Sequence, residues 1–196
     1  VTSALPYVNN VPHLGNIIGC VLSADVYARY ARLRGHTVLY VCGTDEYGTA
    51  TEMKALAEGV TPREICDKYN AIHRQVYEWF HIAFDHFGRT STAHQTRIAQ
   101  DIFTRLHGAK RTLEQSAEQL FCEQCERFLA DRLVEGTCPH CEYTDARGDQ
   151  CDRCAKTIAS PMELRAPRCS RCGTAPVVRS STHVYLDLPQ LAPRLR

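Results

Sequence analysis

Apolar side chains recur every three or four residues in several long stretches of the chain, which is the spacing of helices that bury one face. The first stretch, residues 16–34, ends before Gly35, and a shorter one, residues 49–58, ends before Gly59. Glycine is common just after a helix because it adopts the left-handed backbone found there. Four helices are therefore predicted, at residues 16–34, 49–58, 61–80 and 92–108.

Short runs of apolar and β-branched residues separate the predicted helices. Residues 1–5 are typical of a strand, residues 37–42 of a buried strand in a parallel sheet, and residues 85–92 of a connection or short strand. Strands that alternate with helices indicate an α/β fold with right-handed connections. We therefore expect the N-terminal half of the chain to form half of a Rossmann-like domain with a parallel sheet.

The loop from Pro12 to Asn16, between the first strand and the first helix, is a candidate ligand site. Open α/β sheets bind ligands at the carboxyl ends of their strands, and a helix N-terminus offers free N–H groups to phosphate. His13 and Asn16 lie close to one face of the first turn, and Gly15 lets a ligand approach the backbone. Asp45 follows the second strand, so we expect it at the same edge of the sheet.

Composition narrows the class of protein. The chain has 196 residues, of which 44% are hydrophobic, and its formal net charge is +1, so contacts with nucleic acid would come from local patches. It contains no apolar run of membrane-spanning length and no signal-peptide pattern. Because the sequence begins at Val1, inside a predicted strand, we expect it to be a piece of a larger protein.

The cysteines predict metal sites. Eight of the eleven fall in four Cys-x-x-Cys motifs within residues 121–176, a segment with little apolar periodicity. Each motif can give two thiolates to one tetrahedral zinc ion, so four motifs make two structural Cys₄ sites that can replace a missing core. Redox-active dithiols are the alternative. From the residues alone, consecutive, nested and interleaved pairing of the motifs all remain open. The predicted ligands are Cys122, Cys125, Cys138, Cys141, Cys151, Cys154, Cys169 and Cys172.

A family resemblance adds to this interpretation. His-Leu-Gly-Asn at residues 13–16 resembles the His-Ile-Gly-His signature of class I aminoacyl-tRNA synthetases. With Ala-Leu-Pro-Tyr at residues 4–7 and Asn-Asn-Val-Pro at residues 9–12, the chain is similar to the methionyl-tRNA synthetase family of eukaryotic cytosolic type. The resemblance covers essentially the whole chain. It favours nested zinc pairing, with Cys138, Cys141, Cys151 and Cys154 inside and Cys122, Cys125, Cys169 and Cys172 outside.

The resemblance also implies roles for single residues. It implies catalytic roles for four residues. His13 and Asn16 would donate hydrogen bonds to the reacting phosphate, Asp45 would pair with the substrate ammonium, and Arg179 would steady charge during activation. It implies ATP contacts for Pro12, His13, Gly15 and Asn16. It implies contacts with methionine for Ala4, Leu5, Tyr7 and Asp45.

The implied reaction is activation of methionine with ATP and Mg²⁺, followed by transfer to the 3′-terminal adenosine of tRNA(Met) in the cytoplasm. A multi-synthetase complex is a further partner that the resemblance leaves open. Residues 1–108 would form the first half of the catalytic domain, residues 109–180 a zinc-knuckle insertion (connective peptide), and residues 181–196 a segment returning to the second half. No Lys-Met-Ser-Lys-Ser-like string is present, so we expect the chain to supply half an active site.

Two other functions fit parts of the pattern. One is a different class I synthetase or nucleotidyl transferase with the same signature, and the other is a zinc-knuckle RNA-binding module. The sequence also suggests that Trp79 is a packing anchor, that His73 is a surface or satisfied core residue, and that residues 176–179 and 183–189 are two returning strands.

Overall fold

The computed structural model describes residues 1–194 of the chain and divides into two compact units, residues 1–102 and the residues from Phe103 onwards. Leu195 and Arg196, the end of the predicted return segment, lie outside the described residues. The first unit contains helices α1 (Leu14–Asn16), α2 (Ser23–Leu33), α3 (Thr49–Glu58) and α4 (Pro62–Trp79) and strands β1 (Val41–Thr44) and β2 (His86–Arg89). Helix α5 (Ala93–Gly108) crosses the division.

The predicted parallel sheet is present in the first unit. Strands β1 and β2 pair in parallel, with Val41 opposite His86 and Thr44 opposite Arg89. Residues 1–5, predicted as a strand, instead meet β1 at one isolated parallel bridge, Thr2 to Val41. Further along the chain, Tyr7 forms a second isolated bridge to Asp45, the residue directly after β1. Strand β1 also begins later than predicted. Residues 37–40, which are part of the predicted strand, come before its first paired residue, Val41.

The first predicted helix exists but is not uniform. An α-helical turn, α1, leads into a π-helical stretch, Ile17–Leu22, and then into α2. Gly35 follows with a φ of +83°, as its predicted position after the helix requires. Buried Ile17, Val21 and Ala28 pack in one cluster with Tyr40 and Tyr77, among others.

Helices α3 and α4 agree closely with the prediction. Gly59 ends α3 in the left-handed conformation, and Thr61 and Glu64 form the predicted reciprocal capping box of α4. The buried face of α4 includes Tyr77 and also His73, which is thus a core residue, one of the two possibilities that the sequence left for it. The expectation for Trp79 is wrong, because its side chain is 75% exposed at the C-terminal end of the helix.

The second unit consists of two small antiparallel sheets. Strands β3 (Thr112–Cys122), β4 (Arg127–Phe128) and β8 (Val177–Leu186) form one, in the order β4-β3-β8. Strands β5 (Val134–Thr137), β6 (Ala146–Arg147) and β7 (Arg165–Cys169) form the other, in the order β6-β5-β7. The two predicted returning strands are one continuous strand, β8, which pairs with β3 along ten positions from Thr112–Leu186 to Phe121–Val177.

Short helices complete the second unit at Asp131–Leu133, Pro161–Glu163, Leu188–Leu191 (α6) and Ala192–Arg194. Among the helices that the structure describes, none combines the length and apolar character needed to cross a bilayer.

The close approach of β1 and β2 predicts a specific sensitivity to substitution. A Cβ on Gly43 would lie 2.8 Å from the carbonyl oxygen of Gly88, so Gly43→Ala must push the strands apart. We expect it to lower the free energy of unfolding by about 1–3 kcal/mol, measured by denaturant titration, and to speed amide hydrogen exchange in β1 and β2.

Gly19→Ala is the matched control. No atom lies within 4 Å of a Cβ built at Gly19, so this variant should be neutral or more stable by about 0.4–1 kcal/mol. Equal effects of the two substitutions would contradict the proposed clash at Gly43.

Candidate active site and metal centres

The loop that follows the N-terminal segment begins beside Asp45. The backbone N–H of Asp45 donates to the carbonyl of Pro6 at 2.9 Å, and Tyr7 and Asp45 form a parallel bridge. Tyr7 is 57% exposed and Asp45 is half-buried, so both side chains are accessible at the strand end. Two of the sequence-predicted site residues therefore lie side by side.

His13 and Asn16 cap the start of the first helix together. The backbone N–H of Asn16 donates to His13 Nδ1, and the backbone N–H of His13 donates to Asn16 Oδ1, both at 3.3 Å. Because Nδ1 and Oδ1 act as acceptors, the neutral imidazole carries its proton on Nε2 and the amide keeps its Nδ2 protons. The capping box thus leaves two hydrogen-bond donors on an exposed turn, which suits an anion.

Gly15 is required by the side chain of His13 itself. A Cβ at Gly15 would lie 2.9 Å from His13 Cε1 and 3.0 Å from Nδ1. Any larger residue would therefore displace the imidazole from its capping position. The sequence suggested close approach of a ligand as the reason for this glycine, and the structure adds an intramolecular one.

His73 ties the loop to α4. Its side chain is buried, its Nε2 donates to the carbonyl of Asn10 at 2.9 Å, and its Nδ1 accepts from the Tyr77 hydroxyl at 3.2 Å. Burial lowers the pKa of His73 from its ordinary value, so the imidazole is held neutral. Val8 is also fully buried, in a cluster with Ile65 and Tyr69, among others, so the loop is anchored at two points before it reaches His13.

The residues predicted to form the wall of the amino-acid pocket are at the surface. Ala4 and Leu5 are exposed, and the carbonyl of Ala4 accepts from the Cys20 thiol at 3.1 Å. Ala4 also lines an open depression of about 530 Å³ together with Cys20 and Tyr27, among others. Pro12, in contrast, is buried.

The carboxylate of Asp45 is left available. Its Oδ1 accepts from the backbone N–H of Tyr47 at 3.4 Å. Within residues 1–194, no lysine, arginine or histidine forms an ion pair with it. A half-buried carboxylate without an internal cation can pair with a cationic group of a ligand.

A buried polar network beneath Asp45 was missed by the sequence reasoning. The side chain of Glu46 is fully shielded and pairs with Arg89, while Thr44 accepts from Asn70 Nδ2 at 2.8 Å. The signal in the sequence is a pair of adjacent acidic residues directly after an apolar strand, with an arginine at the end of the next strand. Only the structure brings these groups together.

Arg179 belongs to the second unit. It lies on β8, where its Nη2 donates to Glu123 Oε1 at 2.8 Å and its guanidinium lies 4.0 Å from the centre of the Phe121 ring. These contacts occupy the cation locally, and its role at the active site stays a prediction.

The eight paired cysteines form two clusters in the nested arrangement. Cys122, Cys125, Cys169 and Cys172 make one, and Cys138, Cys141, Cys151 and Cys154 make the other, with the ligand atoms of each cluster within 4.8 Å of one another. The nested grouping that the resemblance favoured is thus confirmed. None of the eight forms a disulfide.

The sulfur spacing fits a tetrahedral metal. A zinc ion with Zn–S bonds of about 2.3 Å would hold its sulfurs about 3.8 Å apart. In the outer cluster, the Cys122–Cys172 and Cys125–Cys169 sulfurs are 3.4 and 4.0 Å apart. In the inner one, the Cys138–Cys154 and Cys141–Cys151 sulfurs are 3.9 and 3.6 Å apart. Both clusters could therefore hold a metal ion with four sulfur ligands.

Comparison with known families agrees with this geometry. The family described as tRNA synthetases class I (M) matches residues 1–196. The chain is 67% identical over 192 residues to the probable cytoplasmic methionine–tRNA ligase of Dictyostelium discoideum, covering 97% of this chain and 26% of that protein. It is 67% identical over 195 residues to the cytoplasmic methionine–tRNA ligase of Mus musculus, covering 100% of this chain and 22% of that protein. The chain thus spans about a quarter of the length of these relatives.

Solved structures show the same fold. Methionyl-tRNA synthetase of Mycobacterium tuberculosis bound by methionyl-adenylate matches 99% of this chain and 33% of its own, with a TM-score of 0.66 and 21% identity. LeuRS of Agrobacterium radiobacter K84, in a ternary complex with tRNA and LeuAMS, matches 100% of this chain and 21% of its own, with a TM-score of 0.66 and 17% identity. The chain therefore has the fold of the corresponding parts of these proteins.

The neutral, buried His73 predicts a pH dependence of stability. In the unfolded chain this imidazole gains a proton near its ordinary pKa of 6.5, while the folded chain resists protonation. The stability that this difference contributes is present above about pH 6.5 and is lost as the pH falls towards the lower folded pKa. We expect the free energy of unfolding to decrease between about pH 7 and 5, and His73→Gln to make that decrease shallower.

Exposed His36 provides the control, since His36→Gln should leave the pH profile of the wild type unchanged. Denaturant titrations at several pH values measure all three proteins. Identical slopes for wild type and His73→Gln would show that His73 is not the group responsible.

Proposed function

Since this chain belongs to the tRNA synthetases class I (M) family, we propose that it is part of a methionine–tRNA ligase. The enzyme activates methionine with ATP to form methionyl-adenylate and pyrophosphate. It then transfers the methionyl group to the 3′-terminal adenosine of tRNA(Met), at the 2′-hydroxyl. Relatives that carry this name and align over the whole chain support the proposal.

One observation from the geometry carries the proposal. A carboxylate without an internal cation, Asp45, lies beside Tyr7 at the start of the same loop that ends in the donors of His13 and Asn16. Amino-acid activation needs both halves of this arrangement, because the ammonium of methionine requires an acceptor and the phosphates of ATP require donors. Asp45 accepts from the ammonium, and the exposed Ala4, Leu5 and Tyr7 contact the amino acid.

The chemical step makes a new bond between a carboxylate oxygen of methionine and the α-phosphorus of ATP. The bond from that phosphorus to the bridging oxygen breaks, and pyrophosphate leaves with its electron pair. Negative charge grows on the phosphoryl oxygens, where His13 Nε2–H and Asn16 Nδ2–H donate. Catalysis is therefore positioning and electrostatic stabilisation rather than covalent chemistry by the protein. Mg²⁺ bound with ATP supplies further charge neutralisation.

The backbone at the helix start completes the ATP contacts. Pro12 and Gly15 contact ATP beside His13, as the resemblance implies, and Gly15 does so through its main chain because it has no side chain. Arg179 is assigned to steadying charge during activation on the basis of the resemblance alone.

The domain assignment follows the same proposal. Residues 1–108 form the first half of the Rossmann-like catalytic domain, residues 109–180 the zinc-knuckle insertion, and residues 181–196 the return segment. Methionine, ATP and tRNA(Met) are the substrates, and the cytoplasm is the compartment named for the relatives. A multi-synthetase complex is a partner suggested by the resemblance only.

Substitution of His13 tests the activation chemistry in the full-length protein. Removing one donor to a developing oxyanion typically costs about 2.7–4 kcal/mol, or about 10²- to 10³-fold in kcat. We expect His13→Ala to lose this factor in methionine-dependent ATP–pyrophosphate exchange. His36→Ala, at an exposed position outside the loop, should retain the wild-type rate.

Competing functions predict different outcomes of the same assay. Exchange driven by isoleucine or cysteine instead of methionine would indicate another class I synthetase. Normal exchange in His13→Ala, together with RNA binding by the full-length protein that depends on the cysteine clusters, would favour the zinc-knuckle RNA-binding module.

The two Cys₄ clusters are assigned to structural zinc, because four sulfur ligands leave no open position for a substrate. We expect two zinc ions per chain by metal analysis, with three cysteines outside both sites, Cys20, Cys42 and Cys66. Because Cys42 and Cys66 are buried and burial raises the pKa of both thiols, only the half-buried Cys20 should react readily with thiol reagents in the native state. Cys151→Ser should release the inner zinc and, because metal binding supplies about 10–16 kcal/mol of apparent folding energy, disorder that part of the second unit.

Cys20→Ser is the control for this substitution, since its sulfur lies in the first unit and outside both clusters. It should keep both zinc ions. A Cys151→Ser protein that still holds two zinc ions would contradict the ligand assignment.

A further inference from the structure

Two neighbouring carboxylates at the end of β1 have opposite surroundings. Asp45 is half-buried and has no internal cation within the part of the chain that the structure describes. Glu46, the next residue, has a side chain with 0% exposure. A fully buried carboxylate is costly unless it is paired and hydrogen-bonded, so the groups around Glu46 must compensate for its burial.

The compensation comes from three donors on the carboxylate. Glu46 Oε1 accepts from Thr44 Oγ1 at 2.9 Å and from Arg89 Nε at 2.6 Å. Glu46 Oε2 accepts from the Ser91 hydroxyl. Thr44 ends β1, Arg89 ends β2 and Ser91 lies in the turn directly after β2, so one side chain joins β1 to β2 where the strands finish.

Arg89 extends this connection to a helix. Its second arm, Nη2, donates to Asp67 Oδ1 on α4 at 2.5 Å. The planar guanidinium therefore bridges a fully buried carboxylate and a partly exposed one in a fixed geometry. The carboxyl end of β1 is thus held against β2 and α4 at the same time.

The backbone around Asp45 is fixed on both sides. The N–H of Asp45 donates to the carbonyl of Pro6, and the N–H of Glu46 donates to Thr90 Oγ1 at 2.9 Å. The carbonyl of Glu46 accepts from the Cys66 thiol at 3.5 Å. With the peptide groups before and after its Cα both held, the position of Asp45 Cα and the direction of its Cα–Cβ bond are fixed.

From this geometry we infer that Glu46 and Arg89 are a positioning pair that aims the Asp45 carboxylate at the ammonium of the amino-acid substrate. The inference rests on the proposed function and assigns no contact with substrate to Glu46 itself. Its physical basis is pre-organisation, because an acceptor that is already oriented loses little freedom when the substrate arrives. A displacement of about 1 Å in such a contact can cost about 100-fold.

Glu46→Gln in the full-length protein tests the inference. It keeps the shape of the side chain but removes the charge that pairs with Arg89. In ATP–pyrophosphate exchange, we expect KM for methionine to rise by about 10- to 100-fold while KM for ATP stays within about twofold. The inhibition constant of methioninol, which has the ammonium but no carboxylate, should rise by a similar factor. Asp45→Asn, which removes the charge of the acceptor itself, should show the largest rise in KM for methionine.

Asp25→Asn is the matched control for a merely structural role. Asp25 is another buried carboxylate of the first unit, paired with Arg29 at 2.6 Å and with the backbone N–H of Ala83 at 2.9 Å. Asp25→Asn should lower the free energy of unfolding, as Glu46→Gln should, but it should not raise KM for methionine. If Glu46→Gln lowers stability but leaves KM for methionine and methioninol binding unchanged, the positioning role is overturned.

Thr90→Val provides a milder probe should Glu46→Gln fail to fold. It removes the acceptor of the Glu46 N–H but keeps the ion pair, and we expect a smaller rise in KM for methionine alone. An unchanged KM in this variant would then overturn the inference. Wild-type exchange driven by a different amino acid would reject the proposed substrate, and the same comparison of KM with that amino acid would still decide the role of Glu46.

Discussion

Parallel pairing on both sides of β1 positions the candidate site. Val41 pairs with Thr2 of the N-terminal segment and with His86 of β2, so three segments run in the same direction. Their carboxyl ends meet at one edge, which brings Tyr7, Asp45 and Thr90 into neighbouring positions. A parallel edge of this kind exposes the last residues of each strand to solvent, and ligands of open α/β sheets bind there.

The two units are stabilised in different ways. In the first unit, a cluster of apolar and aromatic side chains that includes Val21, Tyr40 and Tyr77 is buried between the helices and the sheet. The Tyr40 hydroxyl donates to the carbonyl of Val21 at 2.9 Å, and burial raises the pKa of Tyr40 to about 12. Cores of this size compensate for the entropy of folding through area removed from water.

In the second unit, cysteines make up part of the buried core. Its buried side chains include Leu133, Val134 and Ile158, but four cysteines are buried with them. Small sheets of two to eleven residues per strand bury little area, so a unit of this kind depends on additional constraints. Metal coordination, which we propose for the two Cys₄ clusters, would be a constraint of the required size.

Local chemistry decided which parts of the fold were predictable. Helix ends at Gly59 and the capping box at Thr61 depend on a few adjacent residues, and the structure has both where the sequence indicates them. The π-helical stretch Ile17–Leu22 and the single strand β8 depend on packing and pairing with distant segments, which periodicity does not reveal. The exposure of Trp79 at the end of α4 also depends on how distant segments pack, which periodicity does not reveal.

The residues of the candidate site also fall into those that local sequence predicts and those that only the fold reveals. The Cys-x-x-Cys spacing identified the eight cysteines of both clusters, and strand ends indicated His13, Asn16 and Asp45 as candidates. The buried groups that support them were not predictable, because Glu46 meets Arg89 across more than forty residues of sequence and His73 reaches the loop across sixty-three. Such contacts follow from the fold and not from local pattern.

Adjacent carboxylates with different surroundings reflect a general requirement of binding sites. A carboxylate that awaits a cationic substrate must not be neutralised by its own protein, yet a mobile loop would let it find an internal partner. Asp45 Oδ1 already accepts from the backbone of Tyr47, two residues away, so the tendency to satisfy itself locally is present. Glu46 holds the backbone and so limits further pairing of Asp45 with groups of its own protein. It does so through a buried ion pair, whose energy depends on its geometry more than on the salt concentration. The cost of burying Glu46 is thus linked to the availability of Asp45.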